Sequence, residues 1–256
     1  MKIFNAHLAK EFFEGIKTFK FLIIGISFLI FAIMEPIMYK LLPYMLEGEG
    51  IDPALLEMMD TTQQGLLRNY MGSLTQIGMI IVTLGLMSIM ANEIQKKQLI
   101  LPISKGVKIK NVVLSKFLLY SIVLCLVINI CFMVNVFYTG ILFGTSDLAI
   151  AEILMSGSLF SLYFIFALSL LIFLISLTKK GVAGAIATLV ITFILIPLLA
   201  NFSDLVKFLP QNLISQAGLF ELSMSNDLFI TLISTVVMIG LFVFGTIKRV
   251  ENMEIA

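Results

Sequence analysis

The chain has 256 residues, 59% of them apolar and 13% charged, with a formal net charge of +1. A soluble domain carries roughly 25% charged residues, so this chain holds about half the charge that a water-facing surface needs, and a soluble globular fold is excluded. Its apolar runs of ~18 residues or more can each cross a ~30 Å hydrocarbon core, and the ~10-residue alternation of an outer-membrane barrel is missing; the expected class is all-α, a polytopic helical membrane protein with six transmembrane helices.

The opening segment, residues 1–20, reads MKIFNAHLAKEFFEGIKTFK. Phe4, Leu8, Phe12, Ile16 and Phe19 recur at spacings of three and four, which gives one apolar helical face. Lys2, Lys10, Lys17 and Lys20 supply cationic anchors, so the segment suits a helix lying in the inner membrane interface. Anionic lipid there attracts each such lysine by on the order of 1 kcal/mol. Glu11 and Glu14 argue against a targeting peptide, and the first apolar run is too long for the core of a cleavable signal.

Spans are expected near 21–43, 71–91, 113–143, 153–177, 181–200 and 227–247, the long third one with room for a bend. In the first, Glu35 is the sole acid inside a span, and ~14 helical steps from Phe21 carry it roughly 21 Å from the inner end. It stands next to Pro36 and near Lys40, either snorkelling and locally paired or part of a substrate path. The loop at about 44–70 contains a short helix by pattern, with Asp52 as cap and Pro53 at the first helical position. Gln76 and Thr83 lie seven apart in the second span and share a face; Asn129 and Asn135 lie in the third. Hydrogen bonds from such groups are worth about 0.6 kcal/mol on average between membrane helices. They read as glue between helices or, with Glu35, as a substrate path. Cys125 and Cys131, six apart on one helix, point about 120° away from each other, so neither a disulfide nor a metal pair follows. Gly181, Gly184, Ala185 and Thr188 form a small-residue seam in the fifth span, within the subunit or between subunits. The half-apolar loop before the last span rests on the outer membrane surface or dips into it.

Charge sets the orientation. Lys2, Lys10, Lys17, Lys20, Lys96, Lys97, Lys105, Lys108, Lys110, Lys116, Lys179, Lys180, Lys248 and Arg249 fall on one side. The other side keeps Lys40, Arg68 and Lys207 beside Glu47, Glu49, Asp52, Glu57, Asp60, Asp147, Glu152, Asp204, Glu221 and Asp227. Basic residues near span ends stay in the cytoplasm, so both termini are expected there, in a multi-pass protein of a bacterial plasma membrane.

Catalytic chemistry is not visible. There is no GxxxxGK[ST] loop to cradle ATP phosphates and no HExxH; the one histidine, His7, stands near the N-terminus. No enzyme activity is expected of the chain itself. Any uphill movement draws its energy from a partner.

The stretch from 92 to 116, NEIQKKQLILPISKGVKIKNVVLSK, is the least apolar one between two spans. Its lysines serve topology in any case. From Asn69-Tyr70 through the second span to Glu93, then Leu101-Pro102-Ile103-Ser104-Lys105 and Lys116, the chain resembles the permease subunits of type-2 ABC exporters. In that family a glutamate closes the second span, a Leu-x-Pro-Val-Ser-Arg-like break follows a short helix, and a lysine opens the third span. Lys10-Glu11, Pro36, Pro43 and Pro210 extend the resemblance; Lys97-Gln98 depart from it, standing where the family often has Gly-Thr.

The resemblance implies a half-transporter that pairs with a second copy or a paralogous permease into a twelve-span pore in membrane lipid. Two ABC ATPase subunits would dock beneath it, holding the ATP and Mg; no cofactor in this chain and no nucleic acid is implied. The 92–112 region would be the coupling segment, with Glu93, Ile94, Lys97, Leu99, Leu101, Pro102, Ile103, Ser104 and Lys105 at the dock. Ile94, Leu99 and Leu101 offer apolar anchors, the lysines a polar rim, Pro102 a helix stop and Ser104 a cap for the next helix. A hydrophobic or amphipathic cargo (drug, peptide antibiotic or lipid-like molecule) fits the small outside loops. Sodium export and a non-transporting scaffold, immunity or sensor role are the alternatives.

Overall fold

The computed structural model describes residues 2–46, 60–96, 98, 108–144, 148–222 and 225–254. Among these the chain is helical and without strands: α1 (Lys2–Lys17), α2 (Lys20–Leu46), α3 (Gln63–Gln95), α4 (Ile109–Phe143), α5 (Ile150–Thr178), α6 (Gly181–Leu199), α7 (Ser203–Val206), α8 (Asn212–Ala217) and α9 (Asn226–Glu254). Six of these helices (α2 to α6 and α9) are long and apolar enough to cross a membrane. It is an all-α polytopic membrane protein. The short helix expected from Pro53 with its Asp52 cap lies outside the described residues, as does the Leu101–Lys105 break.

The second span starts at Gln63, some eight residues before the hydropathy expects it. Polar chemistry sets that start. The Asp60 carboxylate accepts from the Thr62 N–H at 3.0 Å, and the Thr62 hydroxyl accepts from the Gly65 N–H at 3.1 Å, a side-chain N-cap. Gln63 then turns inward, donating to the Val136 carbonyl at 3.3 Å and accepting from the Leu148 N–H at 3.2 Å. A residue that hydropathy assigns to a loop thus ties three segments together. The third span also departs from expectation. It starts at Ile109, four residues before the hydropathy expects it, runs as one α-helix to Phe143 and stops at Gly144, whose φ of 71° suits a left-handed cap.

Wide π turns interrupt α3 at Leu74–Gly78 and α6 at Ile191–Leu195. The second comes directly before Pro197, which has no N–H to continue the ladder, and the extra residue absorbs that break. The first has a consequence for the sequence reading. On an ideal helix Gln76 and Thr83 share a face, but the wider turn changes the rotation between them. Gln76 is exposed, whereas Thr83 is buried and donates to the Met79 carbonyl at 2.7 Å.

α5 is the most enclosed span, and its aromatics knit the bundle. Phe28 on α2 meets Phe164 with ring centroids 5.8 Å apart; Phe164 meets Phe160 at 5.3 Å. Phe160 then meets Phe132 on α4 at 5.5 Å, and Phe132 meets Tyr70 on α3 at 5.8 Å. The Tyr70 hydroxyl closes the circuit by donating to the Phe28 carbonyl at 3.0 Å. Lipid tails are as apolar as these rings, so what the chain gains here is close packing and directed hydrogen bonds rather than escape from water.

Small residues let the backbones approach. A Cβ built on Gly184 would lie 3.0 Å from both the Cα and the N of Ile175, and one on Gly181 would lie 2.6 Å from the Met87 carbonyl oxygen. The fifth-span seam therefore packs inside the subunit, against α5 and α3. Gly184→Leu should force those backbones apart and destabilise the fold by about 1–3 kcal/mol or more. Thermal unfolding in detergent reads this directly; an unchanged midpoint would contradict the packing described.

The segment before the last span packs against the bundle. Leu213, Ala217 and Phe220 are buried, and the Asn212 amide donates to the Thr231 hydroxyl of α9 at 2.9 Å. Ser234 on α9 adds a hydrogen bond to the Phe208 carbonyl at 3.0 Å. α1 is reversed relative to a soluble amphipathic helix. It turns Glu11 and Gly15 toward the bundle and leaves Phe12, Phe13 and Ile16 exposed, which is the arrangement a lipid-facing helix requires.

Candidate functional site

Three segments far apart in the chain meet at the lysine-rich end of the bundle. α1 contributes Lys10 and Glu11, the end of α3 contributes Glu93, and the start of α4 contributes Lys116. The Lys116 ammonium lies 2.7 Å from Glu11 Oε2 and 3.2 Å from Glu93 Oε1. Lys10 completes the cluster at 3.1 Å from Glu93 Oε1 and 3.6 Å from Glu11 Oε1. Among the described residues these four contacts are the salt bridges that the structure forms.

Burial makes the cluster consequential. The side chains of Lys116 and Glu11 are 1% and 2% exposed, that of Glu93 is 9% exposed, and Lys10 closes the outer side at 54%. Removing a carboxylate or ammonium from water costs several kcal/mol even after relaxation, and only close pairing returns it. Each buried ion here depends on the others. Glu11 Oε1 and Glu93 Oε2 are buried without a hydrogen bond of their own, so the pairing leaves no spare donor. Partial burial pulls the Lys10 ammonium down, but the Glu93 carboxylate, with Glu11 and Glu14 behind it, outweighs this and holds it above the ordinary lysine value. Glu11, Glu14 and Glu93 also bring carboxylate oxygens within 4.8 Å of one another. Two ammonium groups already contact two of those three acids, so the arrangement reads as an ion cluster and not as a metal site.

Mechanically, the cluster is a clasp. α3 leaves the bundle at Glu93 and α4 re-enters it before Lys116, so the connection between them is held at its two feet. α1 is bound to the same point, so three segments distant in sequence are tied together at this end.

The sequence-expected residues sort as follows. Glu93 does not face outward, since its carboxylate is spent on Lys10 and Lys116. Ile94 is half-buried against the core. Lys97, Leu99, Leu101, Pro102, Ile103, Ser104 and Lys105 lie outside the described residues. In the expected substrate path, Glu35 accepts from the Ser73 hydroxyl at 3.2 Å. It does not pair with Lys40, which donates to the Leu142 carbonyl at 3.0 Å instead. Glu35 and Ser73 thus form one partly buried polar contact between α2 and α3, while Gln76 is exposed on α3. Thr83, Asn129 and Asn135 bond elsewhere. Asn135 is fully buried and donates to the Ala32 carbonyl at 3.0 Å; Asn129 donates back to the Cys125 carbonyl at 2.8 Å. Cys125 and Cys131 are both free.

Glu11 is the residue the sequence reading undervalued. Its signal in the sequence is an acid beside Lys10 in a mostly apolar and basic segment, a pair that the resemblance includes without giving it a partner. No family model matches the chain. Over 219 residues it is 23% identical to an uncharacterized transmembrane protein, YxlG, of Bacillus subtilis (strain 168), and the match covers 85% of this chain and 84% of that protein.

Proposed function

We propose that the chain is the permease subunit of an ATP-driven exporter of the type-2 ABC kind, set in a bacterial plasma membrane with its lysine-rich face in the cytoplasm. The observation that carries this reading is the buried clasp of Glu11, Glu93 and Lys116 at the feet of the connection between α3 and α4. A loop that served only topology needs no such anchorage. A loop that receives force does, because a push on it must reach the spans before it is lost in bending of the chain.

On this reading ABC ATPase subunits, carrying ATP and Mg, seat the 92–112 segment. Leu99 and Leu101 are its apolar anchors. Closure of the ATPase pair draws on that segment, and the clasp passes the displacement to α3, α4 and α1 together. The pore forms between two permease subunits. The exposed Gln76 supports that arrangement, since an exposed glutamine well inside a span has poor company in lipid. Catalysis stays with the ATPase; the cargo is hydrophobic or amphipathic.

The test is affinity purification of the full chain from its native membrane in mild detergent. An ABC ATPase subunit should accompany it at comparable stoichiometry. Recovery of the chain with no ATPase would remove the exporter reading and leave a non-transporting membrane protein.

A further inference from the structure

The end of α3 remote from the clasp carries Arg68, one of three cations on the acidic face. The other two are spent locally: Lys40 on the Leu142 carbonyl and over the Phe143 ring, Lys207 over the Phe208 ring. Arg68 donates from Nε to the Gly218 carbonyl at 2.6 Å, at the end of α8, and its guanidinium lies 5.7 Å from the centre of the Phe220 ring. It also lines a cleft of about 450 Å³ between α3 and α8, together with Met71, Gly72, Ile214, Ser215, Gly218 and Leu219. That volume falls within the roughly 300–1,000 Å³ of ordinary ligand sites.

Depth and chemistry then combine. About 25 helical residues separate Arg68 from Glu93, roughly 37 Å along α3 and more than the ~30 Å hydrocarbon core. With the clasp at one interface, Arg68 therefore stands at headgroup level of the opposite leaflet, and Met71 and Gly72 begin the apolar wall just below it. The bond to Gly218 uses one of five guanidinium N–H donors, and the planar fork can offer two in parallel to an oxyanion. Ser215 adds a hydroxyl at the rim.

We propose that this cleft binds an amphiphile with an oxyanion headgroup, phosphate or carboxylate, the headgroup on Arg68 and the tail against Met71, Ile214 and Leu219. The site is independent of the permease reading, because its geometry needs no ATPase. Arg68 also holds the end of α8, so its removal alone could act through the fold. Gly72 separates the two effects. A Cβ added there meets nothing within 4 Å, so a larger side chain fills the cleft while Arg68 keeps its contact with Gly218.

The experiment titrates the purified full chain, in a neutral detergent, with dodecyl phosphate, dodecyltrimethylammonium and inorganic phosphate, reading one-to-one complexes by native mass spectrometry. Dodecyl phosphate should bind saturably and the cationic amphiphile should not, with inorganic phosphate at least about tenfold weaker than dodecyl phosphate. Arg68→Gln and Gly72→Phe should each weaken dodecyl phosphate by about tenfold or more, Gly72→Phe with the melting midpoint unchanged. If Arg68→Gln fails to fold, Gly72→Phe decides alone. Unaltered binding in Gly72→Phe, equal binding of the cationic amphiphile, or equal binding of inorganic phosphate would each overturn the site as described.

Discussion

Lys116→Met should destabilise the chain by about 3–5 kcal/mol, because it takes from two buried carboxylates the one ammonium that is buried with them and touches both. Glu11 and Glu93 both contact that ammonium; Lys10 reaches them only from the exposed side, and the buried Lys20 acts on them through its charge alone, without an ion-pair contact. The triple variant Glu11→Gln, Glu93→Gln, Lys116→Met behaves differently. It removes the stranded charges together with their partner, and replacing a buried ion group by neutral side chains of similar volume is often close to neutral for stability. Unfolding midpoints in detergent should therefore fall steeply for the single variant and recover in the triple. The triple variant should nonetheless lose ATP-driven function, since amides and a thioether hold α1, α3 and α4 together far less stiffly than paired charges. Equal stability in all three proteins would show that the clasp carries no energetic weight.

The second large effect concerns the connection itself. Leu101→Asp places a charge where the proposed dock needs an apolar anchor, and losing such an anchor costs at least ~2 kcal/mol, about thirtyfold in affinity. Capture of the ATPase should fall by that factor or more, with membrane insertion and the unfolding midpoint of the permease unchanged. Lys97→Gln, at the rim, should alter mainly the salt dependence of capture. The contrast between the two substitutions separates a docking surface from a merely positive loop. If charge alone matters, Lys97→Gln will be the more damaging.

What the sequence makes legible follows from what each signal measures. Hydropathy averages over a span, so it finds all six candidate spans, but it places the start of the second about two turns late. The Asp60-Thr62 cap and the buried Gln63 look like loop chemistry by composition and become helix only through hydrogen bonds to distant segments. The face shared by Gln76 and Thr83 depends on a constant rotation per residue, which the π turn between them removes. The clasp is the hardest case. Its members are 83 and 105 residues apart in sequence. Each has a sufficient local explanation: Lys10 as a membrane anchor, Glu11 as a residue unsuited to a targeting peptide, Lys116 as part of the positive-inside bias. Only the fold shows that these local roles coincide at one buried point.

The acidic face holds the complementary case. Arg68 breaks the charge bias of its side, and a break of that kind is visible without a structure. Its partners are not, because Gly218 lies 150 residues away and contributes a backbone carbonyl that no side-chain pattern announces.

The most direct measurement places a photo-activated cross-linking residue at position 101 in the full chain, in native membranes, with the same group at Leu219 on the opposite face as a control. The account predicts one strong adduct from position 101, with an ABC ATPase subunit, lost in the presence of excess permease that lacks the cross-linking residue, and no such adduct from position 219. Adducts from position 101 with lipid alone, or the ATPase appearing equally from both positions, would contradict it.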